Sequence, residues 1–393
     1  VDFHDTPEEA AFRTELRAWF AENLPVGWAD RAPSVGLEDV EVSRAWSARL
    51  FAAGYSGITW PKEYGGLGLP PTFQGIYLEE SARFQAPGHI GVIGLGMAGP
   101  TILAWGRDDQ KQRLLSPLLS GSEVWCQGFS EPGAGSDLAG ARTRAVLDGD
   151  EWVVNGQKVW SSYAHIADWC ILVVRTDPDA ERHRGLSFLL VDMHAPGVEV
   201  RPLRQITGDP EFNEIYFTDV RVPRDSMLGQ PGEGWAVAMT TLLHERGTLG
   251  FALTARFEQL LGRLVQTART TRPDGYRPAD DPLVRDQVGQ LAIDLEALRF
   301  TNYRALTALV KKGVPGPEGS IAKLHWSEAN QRMTKLAQEL LGPAGRLDGD
   351  DAYWDGFWTY QQLRSRGNTI EAGTSEILRN IIAERVVGLP RSR

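Results

Sequence analysis

The stretch Trp125-Cys-Gln-Gly-Phe-Ser-Glu-Pro-Gly-Ala-Gly-Ser-Asp-Leu-Ala139 decides how the rest of the chain is read. It opens as a short apolar strand, turns at Pro132, and runs through Gly133 and Gly135 to the hydroxyl of Ser136. A loop of this kind presents backbone N–H groups to a phosphate or a ring carbonyl with no side chain in the way. Taken alone, the same residues also describe an ordinary glycine-containing β-turn, and both readings stay open. About twenty residues on, Val154-Asn-Gly-Gln-Lys-Val-Trp-Ser-Ser162 reads as a hairpin turn at Asn155-Gly156 that delivers Trp160 with the hydroxyls of Ser161 and Ser162. An aromatic plane beside hydroxyls suits stacking on, and hydrogen bonding to, a flat heterocycle. Near the end of the chain stands Gly373-Thr-Ser-Glu376, leading into a helical pattern that includes Arg379 and Arg385.

Three zones surround these segments. From Thr6 to about Gly121 the apolar residues recur at helical spacing, as in Val42, Ala45, Trp46, Leu50 and Ala53, with stops at Gly54, Trp60-Pro61 and Tyr64-Gly65-Gly66. From about Ser122 to Pro231 short apolar runs replace them: Glu151-Trp-Val-Val154, Trp169 to Arg175, Leu186 to Asp192 and Asn213 to Phe217. Asp148-Gly-Asp150, Asn155-Gly156 and Pro196-Gly197 punctuate these runs as turns, which predicts strands. From Gly232 onward helices are expected over Trp235–Thr271, Pro282–Lys312, Gly319–Leu341 and Asp351–Gly388. The expected architecture is α+β and multidomain. It has an N-terminal all-α domain over 1–121, a middle β-sandwich or barrel over 122–231, and a C-terminal four-helix bundle over 232–393.

Composition excludes several classes. The 393 residues are 42% hydrophobic and 23% charged, ample for a large core in two or three domains. A net charge of -10 argues against nucleic acid and against an anionic membrane surface. The two cysteines, Cys126 and Cys170, lie inside strand-like runs away from any basic neighbour in sequence, which predicts buried, unreactive thiols rather than a disulfide scaffold. There is no apolar signal core at the N-terminus and no apolar run of transmembrane length, so a soluble, cytoplasmic protein is expected. Gly94-Leu-Gly-Met-Ala-Gly99 matches the spacing of a dinucleotide-binding loop, but it falls in the helical zone with no βαβ unit around it; helix packing is the expected role. The histidines lack metal-ligand spacing and there is no nucleophile elbow.

In this order and spacing, the segments resemble the acyl-CoA dehydrogenase family. The resemblance runs from the helix carrying Glu9-Ala-Ala-Phe-Arg13, through Trp60-Pro-Lys-Glu-Tyr-Gly-Gly66 and Gly234-Trp235, to the C-terminus. It implies FAD, an acyl-CoA substrate, electron transfer flavoprotein as oxidant, and a homotetramer or an α2β2 heterotetramer. Carried over residue by residue, the loop Gln127 to Ser136 lies against the flavin, with Phe129 and Ser130 at the ring, Gly135 beside it, and Ser136 near pyrophosphate or CoA. Trp160, Ser161 and Ser162 resemble the Trp-x-Thr that packs on the isoalloxazine and bonds its N5 and O4 edge, Ser162 replacing the usual Thr. Thr374 and Glu376 fall on the cofactor side, and Gly373 on the substrate side. Arg272, Gln287, Glu339 and Gly342 fall in the adenosine half of the site. There the chain departs from the pattern: Arg269-Thr-Thr-Arg-Pro-Asp-Gly275 stands for Arg-x-x-Phe-Gly, and Glu339-Leu-Leu-Gly-Pro343 for Gln-x-x-Gly-Gly. Such losses occur in α2β2 members, including steroid side-chain dehydrogenases, whose tail Gly388-Leu-Pro-Arg391 also resembles.

The family's catalytic glutamate usually stands just before Gly-Thr-Ser, where this chain has Ala372. Glu245, immediately before Arg246, occupies the position used for the base by isovaleryl-CoA and long-chain members. The resemblance therefore implies α,β-desaturation with Glu245 as base and Arg246 orienting the substrate. The thioester oxygen would be held by the Ala372 N–H and the FAD ribityl hydroxyl, and Gly96, with Gly94 and Gly99, would leave room at the far end of the acyl pocket. Two other readings are a flavin oxidase or monooxygenase on the same fold, and one subunit, catalytic or not, of an α2β2 enzyme.

Overall fold

Thr6 starts the first helix with a reciprocal cap: its hydroxyl accepts the Glu9 N–H (3.2 Å) while the Glu9 carboxylate accepts the Thr6 N–H (2.9 Å). In this computed structural model residues 4–28, 40–272, 274–313, 316–347 and 352–391 are described, those of 245–249 without their side chains. The helices before the sheet are α1 (Pro7–Asn23), α2 (Val40–Ala52), α3 (Pro71–Arg83), α4 (Gly99–Trp105) and α5 (Asp108–Ser120). The strands are β1 (Trp125–Gly128), β2 (Arg144–Asp148), β3 (Glu151–Lys158), β4 (Trp169–Arg175), β5 (Leu186–Asp192), β6 (Val198–Leu203), β7 (Phe212–Pro223) and β8 (Met227–Leu228). After them come α6 (Gly234–Arg269), α7 (Pro282–Lys312), α8 (Glu318–Leu341), α9 (Phe357–Asn368) and α10 (Ser375–Arg385).

By contact the chain forms two compact units, one of Val1–Val35, Pro70–Ala86 and Arg246–Arg393, the other of Gly36–Leu69 and Pro87–Glu245. In the first, α1 is tied to α3 by Arg13 and Arg17, which both bind the buried carboxylate of Glu80 (2.9 and 2.8 Å). Its core is built from apolar faces of α6, α7, α8 and α9, with Phe257, Leu295, Met333 and Trp358 at the centre. The last expected helix, Asp351–Gly388, is broken: α9 ends at Asn368 and α10 begins at Ser375. Ala372 and Gly373 take φ of +52° and +93°, which no α-helix accommodates, and the Thr374 hydroxyl then caps α10 through the Ile377 N–H.

In the second unit the strands run in the order β6-β7-β3-β2-β4-β5-β8, with β1 added in parallel to β4. The antiparallel set β2, β3, β6 and β7 meets the set β1, β4, β5 and β8 through one pair, Arg144 opposite Arg175. Residues from both sets, including Val154, Phe217, Leu172 and Val191, share one core, as a sandwich requires. The opposite faces of β4 and β5 pack on α4, α5 and the start of α6, which explains why both strands are nearly continuous apolar runs. Asp148-Gly-Asp150 is the β2–β3 turn, whereas Asn155-Gly156 is not a turn. It lies inside β3, where the register shifts between Val154 and Gly156 because β7 carries one extra residue between Phe217 and Val220, with Asp219 left-handed at φ +50°. Cys126 and Cys170 are buried and opposite each other in β1 and β4, and burial pushes the Cys126 thiol far up. Among the described residues no helix is long and apolar enough to cross a membrane.

The glycines of Gly94-Leu-Gly-Met-Ala-Gly99 form a π-turn running into α4, and packing explains two of them. A Cβ on Gly94 would sit 2.9 Å from Leu118 Cγ, and one on Gly99 only 1.9 Å from the Trp60 ring. These two therefore serve close packing rather than width in an acyl pocket; Gly96 between them is half-buried. Gly99→Ala should lower stability by about 1–3 kcal/mol, seen as an earlier urea midpoint at unchanged slope. Gly262→Ala on α6, where a Cβ meets nothing within 4 Å, should instead stabilise by about 0.4–1 kcal/mol.

Candidate active site

β1 delivers the chain to Gly128, where a Cβ would come within 2.6 Å of Leu172 Cδ1, so only glycine lets the strand pass this close to β4. The next residues fold into a tight turn: Glu131 N–H donates to Ala134 O (2.9 Å) and Ala134 N–H to Glu131 O (3.0 Å), with Pro132 at its corner. Phe129 was expected at the flavin ring, but its side chain is 3% exposed and packs edge-on against Phe188 in the core. Only its main chain is left for such a contact. Gln127 and Ser130 are half-buried, while Gly133, Gly135 and Ser136 are exposed. A Cβ on Gly133 or Gly135 would meet nothing within 4 Å and neither has positive φ, so the fold itself does not demand glycine at either position.

The Trp160 segment is fastened directly to this loop. Val159 N–H donates to Ser130 O (2.9 Å), and the fully buried Lys158 ammonium donates to Phe129 O (3.0 Å) and to Glu131 Oε1 (2.8 Å). Glu131 also accepts the N–H groups of Arg142 (2.7 Å) and Thr143 (2.8 Å). Burial opposes ionisation of Glu131, but Lys158 and the two amides outweigh it and hold the carboxyl below its ordinary value. Burial likewise draws the Lys158 ammonium below its ordinary value against the pull of Glu131. Beyond Lys158 the backbone turns left-handed at Trp160 (φ +61°) and again at Tyr163 (φ +60°). Between them Ser161 is clamped to Asn213 through N–H···O bonds of 3.0 and 3.1 Å and a third bond from Asn213 Nδ2 (3.0 Å). Ser161 faces inward, its hydroxyl buried and without a partner among the described residues, so Ser162 supplies the partly exposed hydroxyl. Trp160 faces outward, 60% exposed, meeting Phe212 edge-on. A large aromatic plane left in solvent on strained backbone fits a flat ring system stacked from outside.

In the other unit, Ala372 and Gly373 form the left-handed turn between α9 and α10. Lys323 of α8, 5% exposed, grips it by donating to Asn368 O (2.7 Å) and Gly373 O (2.8 Å). Ser327 donates to the same Asn368 carbonyl (2.8 Å), and Asn330 to the Asn368 side chain (2.8 Å). The carboxylate next to Ala372, Glu371, is held by Arg364 (2.9 Å) and Asn368 Nδ2 (2.8 Å). Thr374 caps α10, and Glu376 in its first turn has its carboxyl held low by its own backbone N–H and by Thr374. Arg272, Glu339 and Gly342 come together at the end of α8. The Arg272 guanidinium donates to Leu340 O (2.5 Å) and Glu339 O (2.6 Å), while the Glu339 side chain approaches Lys335 (3.7 Å). Gln287 is exposed on α7. Glu245 and Arg246 lie in α6, and their side chains are outside the described residues. Thr241, one turn earlier, is buried with its hydroxyl 2.9 Å from that of Thr101.

Sequence reasoning missed Lys158, Glu131, Asn213 and Lys323. For Lys158 a signal existed: it continues the inward alternation of Trp152 and Val154 along β3.

The comparisons with known proteins agree along the whole chain. Residues 6–122, 126–220 and 232–387 match, in turn, the N-terminal, middle and C-terminal domains of acyl-CoA dehydrogenase. The chain is 42% identical over 385 residues to acyl-CoA dehydrogenase IpdE1 of Mycobacterium tuberculosis, with 97% of each covered. Among solved structures it resembles the Tcur3481-Tcur3483 steroid ACAD (TM-score 0.86, 32% identity, 100% of both chains). It also resembles the ChsE4-ChsE5 complex from Mycobacterium tuberculosis (TM-score 0.85, 33% identity, 100% of both chains). The chain belongs to the acyl-CoA dehydrogenase family of FAD-dependent oxidoreductases.

Proposed function

We propose that this chain desaturates an acyl-CoA thioester between its α and β carbons, with Glu245 as the base. The observation that carries the reading is the joined pair of segments 129–136 and 158–162. They put an exposed indole, a free-standing glycine loop and the Ser162 hydroxyl on one rigid support. FAD bound there supplies the acceptor for the β-hydrogen as hydride. Glu245 takes the α-proton on a carboxylate oxygen, a transfer that succeeds only if the developing enolate charge is held elsewhere. The Ala372 N–H is the donor assigned to that charge. Its main chain is held in a conformation that an ordinary turn would not keep, by the grip of Lys323 on the neighbouring carbonyls. Arg246 orients the thioester, and electron transfer flavoprotein is the oxidant.

A second chain in an α2β2 assembly is favoured over a homotetramer. The guanidinium of Arg272, assigned to the adenosine half of the site, has two of its donors committed to carbonyls at the end of α8. Two of the similar solved structures carry paired chain names, and one is described as a steroid ACAD. That description favours a bulky, polycyclic acyl group over a short straight one.

Anaerobic addition of a steroid side-chain thioester should bleach the flavin faster than butyryl-CoA does; no bleaching by any thioester would sink the CoA assignment. Arg272→Ala should lower the stability of the FAD-free chain by about 1.5–3 kcal/mol, the worth of a charged hydrogen-bond donor, while leaving FAD affinity unchanged. Loss of FAD affinity would return Arg272 to the cofactor site. Glu245→Gln should keep FAD and thioester binding but slow single-turnover flavin reduction by about 10²–10⁴-fold. Adding Ala372→Glu should restore part of that rate. Reduction at the wild-type rate in Glu245→Gln would mean that another residue is the base.

A further inference from the structure

Lys158 is among the largest fully buried side chains in the molecule, and the reaction as derived does not use it. A buried ammonium needs partners, because an unpaired charge in a core is among the costliest defects a fold tolerates. Its partners, Phe129 O and Glu131 Oε1, both belong to the glycine loop. Its stem passes over Gly128, where a Cβ would lie 3.5 Å from Lys158 Cγ. Glu131 closes the circuit by accepting Arg142 and Thr143 N–H, where the chain leaves the loop for β2. The next residue, Val159, adds the bond to Ser130 O, and the one after is Trp160. The bonds of this cluster therefore tie residues 129–131, at the start of the loop, to Lys158 and Val159, which lead directly into Trp160, and to Arg142 and Thr143 beyond the loop's far end.

We propose that the Lys158–Glu131 ion pair is a positioning device for the cofactor, one that holds the loop 129–136 and the Trp160 segment in FAD-binding geometry before FAD arrives. The inference rests on the reading of these segments as the flavin seat. Lys158 and Glu131 are positioning residues: neither is assigned a contact to the flavin. A pair that served folding alone would be replaceable by neutral, well-packed groups without loss of ligand affinity. A pair that sets geometry would not. The distinction is measurable because removing one partner strands the other charge, whereas removing both together restores much of the stability.

The experiment uses the full chain, with its partner chain if one co-purifies, stripped of FAD and retitrated with FAD by flavin fluorescence. Lys158→Met together with Glu131→Gln should recover most of the thermal stability that Lys158→Met alone loses. Its FAD dissociation constant should nevertheless stay at least about tenfold weaker, as when only a tenth of the molecules hold a competent loop. A double variant that binds FAD like wild type overturns the inference. Trp160→Ala separates this failure from failure of the underlying reading. If Trp160→Ala weakens FAD binding and the double variant does not, only the positioning role falls. If Trp160→Ala leaves binding untouched, the seat itself is misassigned and the inference falls with it. A measurement on wild type covers the case in which the variants do not fold. In the FAD-free protein, exchange of the hydrogen-bonded amides of Glu131, Ala134, Val159 and Ser161 should already be slow. Exchange there at free-chain rates, with protection appearing only on adding FAD, overturns the inference.

Discussion

A buried lysine ammonium has to be given acceptors, and this fold uses that requirement twice. Lys158, projecting from β3, gathers the Phe129 carbonyl and the Glu131 carboxylate. Lys323, projecting from α8, gathers the carbonyls of Asn368 and Gly373. In both cases a regular element with a fully hydrogen-bonded backbone lends its rigidity to an irregular segment that has none of its own. Because the demand is electrostatic and both ammoniums are buried, the acceptors are fixed in direction as well as distance.

What these two grips hold is backbone that would not hold itself. Trp160 at φ +61° and Ala372 at φ +52° are left-handed, non-glycine positions, each costing on the order of 1–3 kcal/mol. A glycine would relieve the cost at either place. At Trp160 the aromatic plane would then be lost, and at Ala372 the turn would gain freedom that the Lys323 grip is there to remove. Strain at these two positions, and bonds concentrated just beside them, is the pattern expected where geometry matters more than stability.

Much of this was legible in the residues. The apolar runs Trp169 to Arg175 and Leu186 to Asp192 are strands with those bounds, because both are buried on two faces and bounded by turn-forming residues. The long helices before and after the sheet followed from periodicity, and the colinear motifs pointed to the family. Two readings failed for related reasons. Asn155-Gly156 has the composition of a hairpin turn, but the pairing of β3 with β7 runs through it, and the one-residue bulge there lies in β7. The chain from Phe357 to Arg385 carries helical periodicity throughout, yet two left-handed residues break it. The Phe129 ring follows strand alternation past Gly128 into the core, which leaves its main chain to meet a ligand. In each case a long-range partner decided what local composition left open. Lys158 is the same lesson reversed: only its place in the inward alternation, against the usual behaviour of lysine, marked it.

On the proposed reading, the turn at Ala372 supplies one part of the chemistry while the base comes from another segment. The carboxylate nearest to it in sequence, Glu371, already has Arg364 and Asn368 as partners. Arg364 gives Glu371 a second guanidinium bond, at 3.2 Å, so this carboxylate is engaged on both oxygens. An alanine side chain at 372 contributes nothing to proton transfer, yet the peptide that carries it is held as firmly as if it did. On the proposed reading the donor is a peptide N–H, and the turn that carries it is shaped by the backbone at Ala372 and Gly373 and by Lys323, none of which involves the Cβ substituent. If the base comes from α6, as proposed, the turn needs no rebuilding to supply its N–H and keeps a reason to be held.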